Sequence, residues 1–272
     1  MSNPWIWNLI TGIVICTGLA LKLNLGWKIG ASGGMLIGLL GGGTVYLCSP
    51  LISNITLTGI VALSVVLQCF WIGAVILFRF YRDPNRTTPR EPDIIVSPAD
   101  GIVRYVVRIG KGQIPIATKK KDKHILEELV HTPVSQKDGW LIGIEMRILD
   151  VHVNRAPLSG RVTMVKYIPG AFLSLRRTES VFLNERVTTI IQHKEWQVAV
   201  VQIASRLVRR IRSYVRAGES VDRGQRTGRI VFGSQVDIVI PVFPHLTLTV
   251  EKGQKVRAGE TILAQFSLSG DS

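Results

Sequence analysis

The chain has 272 residues, 46% of them hydrophobic and 19% charged, and its mean hydropathy of +0.27 is more typical of a membrane-anchored globular domain than of a wholly soluble enzyme. A net charge of +14 would suit nucleic acid, but the sequence has no zinc-finger spacing, no aromatic RNA-binding signature and no isolated recognition helix. The lack of these signatures argues against a nucleic acid partner.

The positive charge is concentrated after residue 78. The first 78 residues contain two basic side chains, Lys22 and Lys28, and no acidic one, which leaves +12 on the remainder. A basic globular part tethered to a bilayer indicates an anionic lipid partner. The three cysteines, Cys16, Cys48 and Cys69, lie in apolar segments without metal-ligand or disulfide spacing, so we expect no metal site and a reducing compartment.

Three long apolar runs open the chain: Pro4–Leu21, Ile29–Cys48 and Ile55–Phe78. Each has the roughly 17–25 apolar residues of a membrane-spanning helix, so we predict a membrane anchor over residues 1–78 with two to three transmembrane helices. The glycine-rich second run suits either close helix packing or a re-entrant hairpin. Basic residues after the first and third runs place the remaining domain, residues 79–272, on the cytoplasmic face of the cell membrane in a multi-pass protein.

A short basic and aromatic segment, Arg79–Arg86, follows the third run and suits either the headgroup level of a membrane or a plain stop-transfer anchor. Beyond it the pattern changes to short strand-like runs between Gly and Pro turns, which predicts a mainly β globular domain after the α-helical anchor. The predicted strands are Ile94–Val96, Gly101–Ile109, Trp140–Ile148, Arg161–Tyr167, Arg186–His193 and Gln197–Ile203. Lys111–Asp138 is predicted to be a loop or mobile insertion.

An internal repeat lies near the end of the chain. Val215–Gly224 matches Val250–Gly259, with Val and Gly recurring 35 residues apart. Each copy predicts a strand, a Gly turn and a second strand, as in the small β-sandwiches that carry biotin or lipoate. Ser97–Val103 resembles the opening of such a module. No lysine-bearing hairpin tip occurs, so we expect biotinyl/lipoyl-like sandwich features without a biotin carrier function.

Within Gly228–Pro241, two β-rich runs, Arg229–Phe232 and Val236–Ile240, meet at the pair Gly233-Ser234. Glycine has no Cβ to crowd an attack on its carbonyl, and its backbone adopts angles that other residues resist. The hydroxyl of Ser234 could therefore cleave the chain at this pair. An ordinary β-bulge or tight hairpin would give the same pattern.

Two further segments carry reactive side chains. Asp100, in the turn Ser97–Gly101, offers a carboxylate, and His152, in Asp150–Pro157, offers an imidazole. Asp, His and Ser together can deprotonate a hydroxyl at neutral pH. Each also has a structural explanation, as a turn residue or as a strand residue whose hydrogen bonds are satisfied. The order of the three along the chain does not decide whether they meet.

Six short segments occur in the order found in phosphatidylserine decarboxylases, and the likeness spans roughly Phe80 to Phe266, nearly the whole globular part. They are Phe80–Pro84, Ser97–Gly101, Asp150–Pro157, Asn184–Arg186, Val201–Ala204 and Phe232–Ser234. The chain resembles this family, and most closely its short, archaetidylserine-decarboxylase-like branch. Each motif is weak alone, and it is their shared order that carries the resemblance.

The resemblance implies a self-cleaving, pyruvoyl-dependent proenzyme. Asp100 would orient His152, and His152 would activate Ser234 for attack on the Gly233 carbonyl. The chain would be cut into residues 1–233 and 234–272, and Ser234 would become the covalent pyruvoyl cofactor. The two fragments would remain together as a heterodimer and form a further homodimer.

The resemblance also implies the reaction. The pyruvoyl carbonyl would form a Schiff base with the amine of a serine phospholipid and accept electrons as carbon dioxide leaves, which yields the ethanolamine phospholipid. No metal or diffusible cofactor would be needed. Phosphatidylserine and archaetidylserine share this headgroup, so acyl-ester and isoprenoid-ether substrates are both open.

The sequence departs from the longer branch of the family at two functional positions. That branch has a second His at the position of Arg155 in this chain, and a Thr at the position of Gln235. Either His152 serves both cleavage and the later protonation, or Arg155 binds the carboxylate or phosphate of the substrate. The family also usually has Asn where this chain has Val187.

Two other functions fit parts of the sequence. A non-enzymatic membrane adaptor on a biotinyl-like sandwich would use Gly233-Ser234 as an ordinary turn. A membrane serine hydrolase would use Ser234, His152 and Asp100 without cutting the chain.

Overall fold

The computed structural model of the chain describes residues 4–23, 25–48, 57–110, 134, 138–170, 184–204, 211–231, 234–242 and 245–266. The chain divides into two compact units, Met1–Arg79 and Phe80–Ser272. The boundary between them lies one residue from the predicted boundary.

The apolar runs form three helices, α1 (Pro4–Lys22), α2 (Trp27–Leu47) and α3 (Leu57–Tyr81). All three are long and apolar enough to cross a membrane. The second run forms one helix of 21 residues rather than a re-entrant hairpin.

Glycines allow α1 and α2 to pack at very short range. A Cβ added at Gly12 would lie 2.6 Å from the carbonyl oxygen of Gly34, and one added at Gly38 would lie 2.7 Å from that of Asn8. Such small residues let helix backbones approach closely where lipid gives no hydrophobic drive for association. The glycine pattern of α2 therefore reflects helix packing, one of the two predicted explanations.

A buried polar cluster connects α1 to α3. The side-chain amide of Gln68 donates to the carbonyl oxygen of Asn8 (3.0 Å) and to Thr11 Oγ1 (2.9 Å), while Asn8 Nδ2 donates to Ser64 Oγ (3.2 Å). Hydrogen bonds of this kind stabilise contacts between apolar helices.

The second unit is mainly β, and all strand pairs among its described residues are antiparallel. Its strands are β1 (Ile94–Val96), β2 (Gly101–Ile109), β3 (Gly139–Met146), β4 (Val153–Arg155), β5 (Gly160–Ile168), β6 (Arg186–His193), β7 (Trp196–Ala204), β8 (Ile211–Ser213), β9 (Ser220–Val221), β10 (Arg226–Ile230), β11 (Ser234–Pro241), β12 (Thr247–Leu248), β13 (Lys255–Val256) and β14 (Ile262–Gln265). They form an eight-stranded sheet, β13-β2-β3-β11-β7-β6-β5-β9, and two three-stranded sheets, β1-β14-β12 and β4-β10-β8.

The strand β11 lies inside the eight-stranded sheet and is buried on both faces. Val236, Ile238 and Ile240 belong to the larger apolar cluster of the domain, and Val239 belongs to a smaller cluster on the other face. Because successive strand residues point to opposite faces, β11 contributes to both clusters. This explains the nearly continuous apolar run in its sequence.

The internal repeat forms equivalent turns at the two edges of the eight-stranded sheet. The backbone N–H of Gly218 donates to Val162, and that of Gly253 donates to Val103, each at 2.7 Å. Both glycines have positive φ values, +96° and +92°, which residues with a Cβ rarely adopt. The strands that follow the two turns, β9 and β13, are the two edge strands.

The mainly β domain after three apolar helices is confirmed. The bounds of β1, β2 and β6 are those predicted, and β9 and β13 lie where the repeat predicted its second strands, whereas β4, β8, β12 and β14 were not predicted. The biotinyl/lipoyl-like sandwich stays a prediction. Most of the predicted loop Lys111–Asp138 lies outside the described residues.

Candidate active site

Ser234 opens β11, the strand between β3 and β7. Its backbone pairs with Met146 on one side and with Ala204 on the other. The preceding strand, β10, pairs with β4 and β8, so β10 and β11 belong to different sheets rather than to one hairpin. Gly233 lies outside the described residues, and Ser234 is described by its backbone.

Two backbone connections bring His152 to the start of β11. The strand β3 ends at the backbone partner of Ser234, and the next turn is closed by bonds from Asp150 N–H to the Arg147 carbonyl (2.9 Å) and from Arg147 N–H to Asp150 Oδ2 (2.8 Å). On the other side, the His152 carbonyl accepts from the N–H of Ile230 (3.2 Å), at the end of β10. His152 is therefore fixed to the chain on both sides of the predicted cleavage site.

The His152 ring is fully buried, and its two nitrogens have different surroundings. Nδ1 lies 2.8 Å from the backbone oxygen of Asp150. A carbonyl oxygen can only accept, so Nδ1 carries the proton and Nε2 carries a lone pair in the neutral ring. Nε2 is buried and has no hydrogen-bond partner among the described residues. The Phe80 ring packs on the imidazole with a centroid separation of 4.2 Å. This tautomer suits a general base.

The surroundings of His152 also disfavour its charged form. Burial lowers its pKa most, the hydrogen bond to the Asp150 carbonyl raises it, and the positive charges of Arg82 and Arg229 lower it further, to about 4. His152 is therefore neutral at physiological pH.

The two arginines near His152 are held by backbone carbonyls. Arg82 Nη2 donates to the Leu149 carbonyl (2.7 Å), and Arg229 Nη2 donates to that of Tyr81 (3.3 Å). The Arg229 guanidinium also lies over the Tyr81 ring, 5.6 Å from its centroid. Its Nε is buried without a partner among the described residues. Positive charge is thus fixed beside the candidate base.

The structure does not bring Asp100 into contact with His152 in the way that the sequence predicted. Asp100 Oδ2 pairs with Arg86 Nη2 (2.8 Å), and Oδ1 accepts from the backbone N–H of Ala258 (2.8 Å). The imidazole is oriented instead by the carbonyl of Asp150, only two residues away in the chain. Both Asp100 oxygens are thus held by charge-assisted hydrogen bonds, and its geometry is that of an anchor for the chain around Ala258.

Arg155 also occupies a structural position. Its Nη1 donates to the Gly224 carbonyl (2.8 Å), its Nη2 donates to the Pro84 carbonyl (3.0 Å), and Asp83 lies 3.6 Å away. The side chain is buried. This geometry connects the segment after α3 to β4 and gives no support to the predicted substrate contact.

A polar cleft of about 310 Å³ lies against the turn that precedes His152. It is lined by both basic and acidic side chains, among them Arg82, Arg86, Asp100, Asp150, Lys255 and Glu260. Burial, followed by the neighbouring Asp100 charge, raises the pKa of Asp150, while bonding to Arg147 lowers it.

A buried amide pair that the sequence reasoning missed lies beside the site. Gln202 Nε2 donates to Asn154 Oδ1 (2.8 Å), and Asn154 Nδ2 lies 3.9 Å from Met146 Sδ and 3.4 Å from the Pro98 carbonyl. Both amides are almost completely buried. Their presence in motifs of the resemblance was a signal, but sequence alone gave them no role.

A second missed feature is a polar network on β11. Tyr105 OH donates to Asp237 Oδ2, and Gln235 Nε2 donates to Asp237 Oδ1 and to the Tyr105 oxygen, each at 2.7 Å. Burial raises the pKa of Asp237 to about 6, against the opposing effects of these hydrogen bonds and of Arg104. The signal in the sequence was an acidic residue inside an apolar strand.

His152 and Asp237 should give the folded chain opposite pH dependences. The lowered His152 pKa stabilises the fold above pH 6.5 by about 3 kcal/mol, lost as pH falls through about 4. The raised Asp237 pKa stabilises it at low pH by about 3 kcal/mol, lost as pH rises from 3.8 through about 6. Between its two pKa values, His152 binds a proton in the unfolded state but not in the folded state, and Asp237 binds one in the folded state but not in the unfolded state.

We therefore expect His152→Asn and Asp237→Asn to shift the pH dependence of stability in opposite directions. As pH rises from 4 to 6.5, the free energy of unfolding of His152→Asn should fall relative to that of the parent chain. Over much the same range, the free energy of unfolding of Asp237→Asn should rise relative to that of the parent chain. Urea unfolding of the full chain in detergent micelles, at several pH values, measures both differences. Differences that do not change with pH would contradict the burial assignment.

The described residues contain no group of three or more His, Cys, Asp or Glu side chains arranged to hold a metal.

Comparison with known proteins supplies the family. The model of the phosphatidylserine decarboxylase family matches residues 74–264. The chain is 36% identical over 198 residues to the phosphatidylserine decarboxylase proenzymes of Burkholderia multivorans and Burkholderia vietnamiensis, which covers 72% of this chain and 82% of each relative. It is 35% identical to that of Ralstonia nicotianae, with coverage of 72% and 81%. The chain belongs to the phosphatidylserine decarboxylase family.

Proposed function

We propose that this protein is a self-cleaving, pyruvoyl-dependent decarboxylase of a serine phospholipid such as phosphatidylserine, and that its product is the ethanolamine phospholipid. The observation that carries the proposal is the buried Nε2 of His152, which has no partner among the described residues and lies on the segment after Met146, the strand partner of Ser234, in a chain of this family. A buried polar atom without a hydrogen-bond partner lowers the stability of the fold, so its presence calls for an explanation, and a catalytic role is one.

Self-cleavage starts at Ser234. His152 Nε2 accepts the proton of its hydroxyl, and the Ser234 oxygen attacks the carbonyl carbon of Gly233 to replace the peptide bond with an ester. Loss of the α-proton of Ser234 then breaks its Cβ–O bond and frees the carboxylate of Gly233. The remaining dehydroalanine takes up water and releases ammonia, which leaves a pyruvoyl group at residue 234.

The same residues suit the later reaction. The pyruvoyl carbonyl supplies an electron sink for the bond that releases carbon dioxide from an amine-bearing substrate. His152 is neutral and water-excluded, so it can carry a proton to and from this position with little loss to solvent. One histidine can thus serve both cleavage and protonation, which fits His152 as the single histidine of the segment Asp150–Pro157. Arg82 and Arg229 provide positive charge for the anionic headgroup.

Asp100 supports the site at one remove. Its carboxylate holds Arg86 and the backbone at Ala258, and Arg86 also pairs with Glu260 (3.0 Å). We assign Asp100 the role of holding Arg86 and the backbone at Ala258 in place. Orientation of His152 by Asp100 would require a rearrangement during cleavage.

The three apolar helices anchor the catalytic domain to its lipid substrate. The basic residues Lys22, Lys28 and Arg79 favour a multi-pass arrangement with the catalytic domain on the cytoplasmic face. The fragments 1–233 and 234–272 would stay associated, because β11 pairs along nearly its whole length with β3 and β7. A further homodimer of such heterodimers is part of the proposal.

The test uses the purified full chain with vesicles of phosphatidylserine labelled at the serine carboxyl carbon. We expect labelled carbon dioxide, two polypeptide fragments, and a mass increase on fragment 234–272 after cyanoborohydride reduction in the presence of the lipid. One intact chain without carbon dioxide would favour the membrane adaptor. A fluorophosphonate adduct on an uncut chain would favour the serine hydrolase.

A further inference from the structure

The polar network of Tyr105, Gln235 and Asp237 is a closed ring of hydrogen bonds in an otherwise apolar part of the domain. The three polar groups are connected by three bonds of 2.7 Å, and Asp237 and Gln235 are almost fully buried. Tyr105 packs against the smaller apolar cluster, which includes Leu141 and Val201. Burial of a carboxylate in such surroundings opposes folding, so we looked for a function of this ring of hydrogen bonds that explains it.

Two local features of the backbone build this ring. The strand β2 has a bulge between Val103 and Tyr105, so that Val103 packs in the larger cluster and Tyr105 against the smaller one. A regular strand would place residues 103 and 105 on the same face. The register partner of Tyr105 is Gly143, and a Cβ at Gly143 would collide with the Tyr105 ring. Gly143 also pairs with Asp237 on β11. The bulge and the glycine together direct the phenol towards Asp237.

The position of the ring along β11 indicates its purpose. Ser234 is the first residue of β11, and cleavage after Gly233 would make it a chain end as well, and chain ends fray unless they are held. Gln235 is the next residue, and its backbone nitrogen carries the group formed from Ser234. The Gln235 side chain is the first that the structure fixes after the cut, and two hydrogen bonds fix it.

We propose that Tyr105, Gln235 and Asp237 form a lock that holds the new end of β11 in place after self-cleavage, so that the reactive carbonyl stays aligned with His152. This inference rests on the proposed function. The three side chains act as positioning residues. In the proposal they hold residue 235 in place and do not contact the substrate. Tyr105 belongs to the large fragment and the other two to the small one, so the lock also joins the fragments.

Tyr105→Phe tests the lock, since it removes the hydroxyl that both partners use and keeps the ring over Gly143. Tyr214→Phe is the matched control, because Tyr214 is 47% exposed. In cleaved protein we expect Tyr105→Phe to lower kcat about tenfold with KM unchanged, and to speed amide exchange over residues 235–239 about tenfold. In an uncut Ser234→Ala background, the same substitution should change that exchange by less than about twofold, because the chain itself then holds the strand.

A second variant, Gln235→Met, keeps the length of the side chain and removes both donors, and it should reproduce the kcat and exchange effects. Unchanged kcat and exchange in both variants would overturn the lock. So would an equal loss of protection in cut and uncut chains, which would show a general packing role. Failure of the proposed function is a different result, since the parent chain would then show neither fragments nor carbon dioxide release.

Discussion

Ser234→Ala should yield a single uncut polypeptide that releases no carbon dioxide from phosphatidylserine. Alanine has no oxygen to attack the Gly233 carbonyl, so neither the ester nor the pyruvoyl group can form. Decarboxylation should fall by about 10⁶-fold or more, to the uncatalysed background. Intact-mass measurement of the purified protein and the release of labelled carbon dioxide are the two readouts.

The matched control for Ser234→Ala is Ser220→Ala, at an exposed residue of the edge strand β9. This protein should be cut and active like the parent chain. A parent chain that decarboxylates its lipid while remaining one continuous polypeptide would contradict the pyruvoyl mechanism. Equal cutting of parent and Ser234→Ala chains would place the cleavage site elsewhere.

The elements that could be predicted from the sequence are those whose pattern is local. The membrane helices follow from the length of their apolar runs, and the glycines of α2 match its short approach to α1. The bounds of β2 and β6 follow from β-rich composition and flanking turn residues. The repeat predicted strands at the positions of β9 and β13, whereas the two-residue strand β12 was missed, because only its pairing with β14 defines it.

The roles of the candidate site residues stay predictions, and their geometry could not be derived from the sequence. His152 follows the turn at Arg147–Asp150, which itself follows Met146, the backbone partner of Ser234, and the order of the motifs did not reveal this connection. The sequence did not reveal that the Asp150 carbonyl, in the same segment, would accept from His152 Nδ1, and the orientation of His152 by Asp100 stays a prediction. Arg86 and Ala258 compete for Asp100 from positions that no local pattern reveals.

The lock on β11 shows a different limit. A strict two-residue alternation would assign Val103 and Tyr105 to one face, and the bulge at Arg104 reverses that assignment. Only the acidic residue in the apolar run of β11 pointed to a buried polar partner. The identity of that partner depends on register, which single-sequence periodicity cannot supply.

His152→Asn should slow self-cleavage by about 10²–10⁴-fold, the usual loss when a general base is removed. Asparagine keeps an N–H for the Asp150 carbonyl but has no lone-pair nitrogen at the position of Nε2. Pulse-labelled synthesis of the full chain, followed by gel separation of the fragments, measures the rate. Asp100→Asn is the comparison, since it should destabilise the fold through Arg86 and slow cleavage much less.

The pH dependence of cleavage distinguishes a base of this kind from a merely structural histidine. The parent chain should keep its rate as pH falls through 6.5 and lose it only near 4, because the lowered pKa leaves Nε2 unprotonated over that window. A fall in rate centred near 6.5 would mean that His152 is solvated during cleavage.

Hydroxylamine at neutral pH provides a second test, since it cuts a chain that has reached the ester. It should not cleave His152→Asn, in which the step that forms the ester is the one lost; fragments appearing on its addition would assign His152 to the elimination instead.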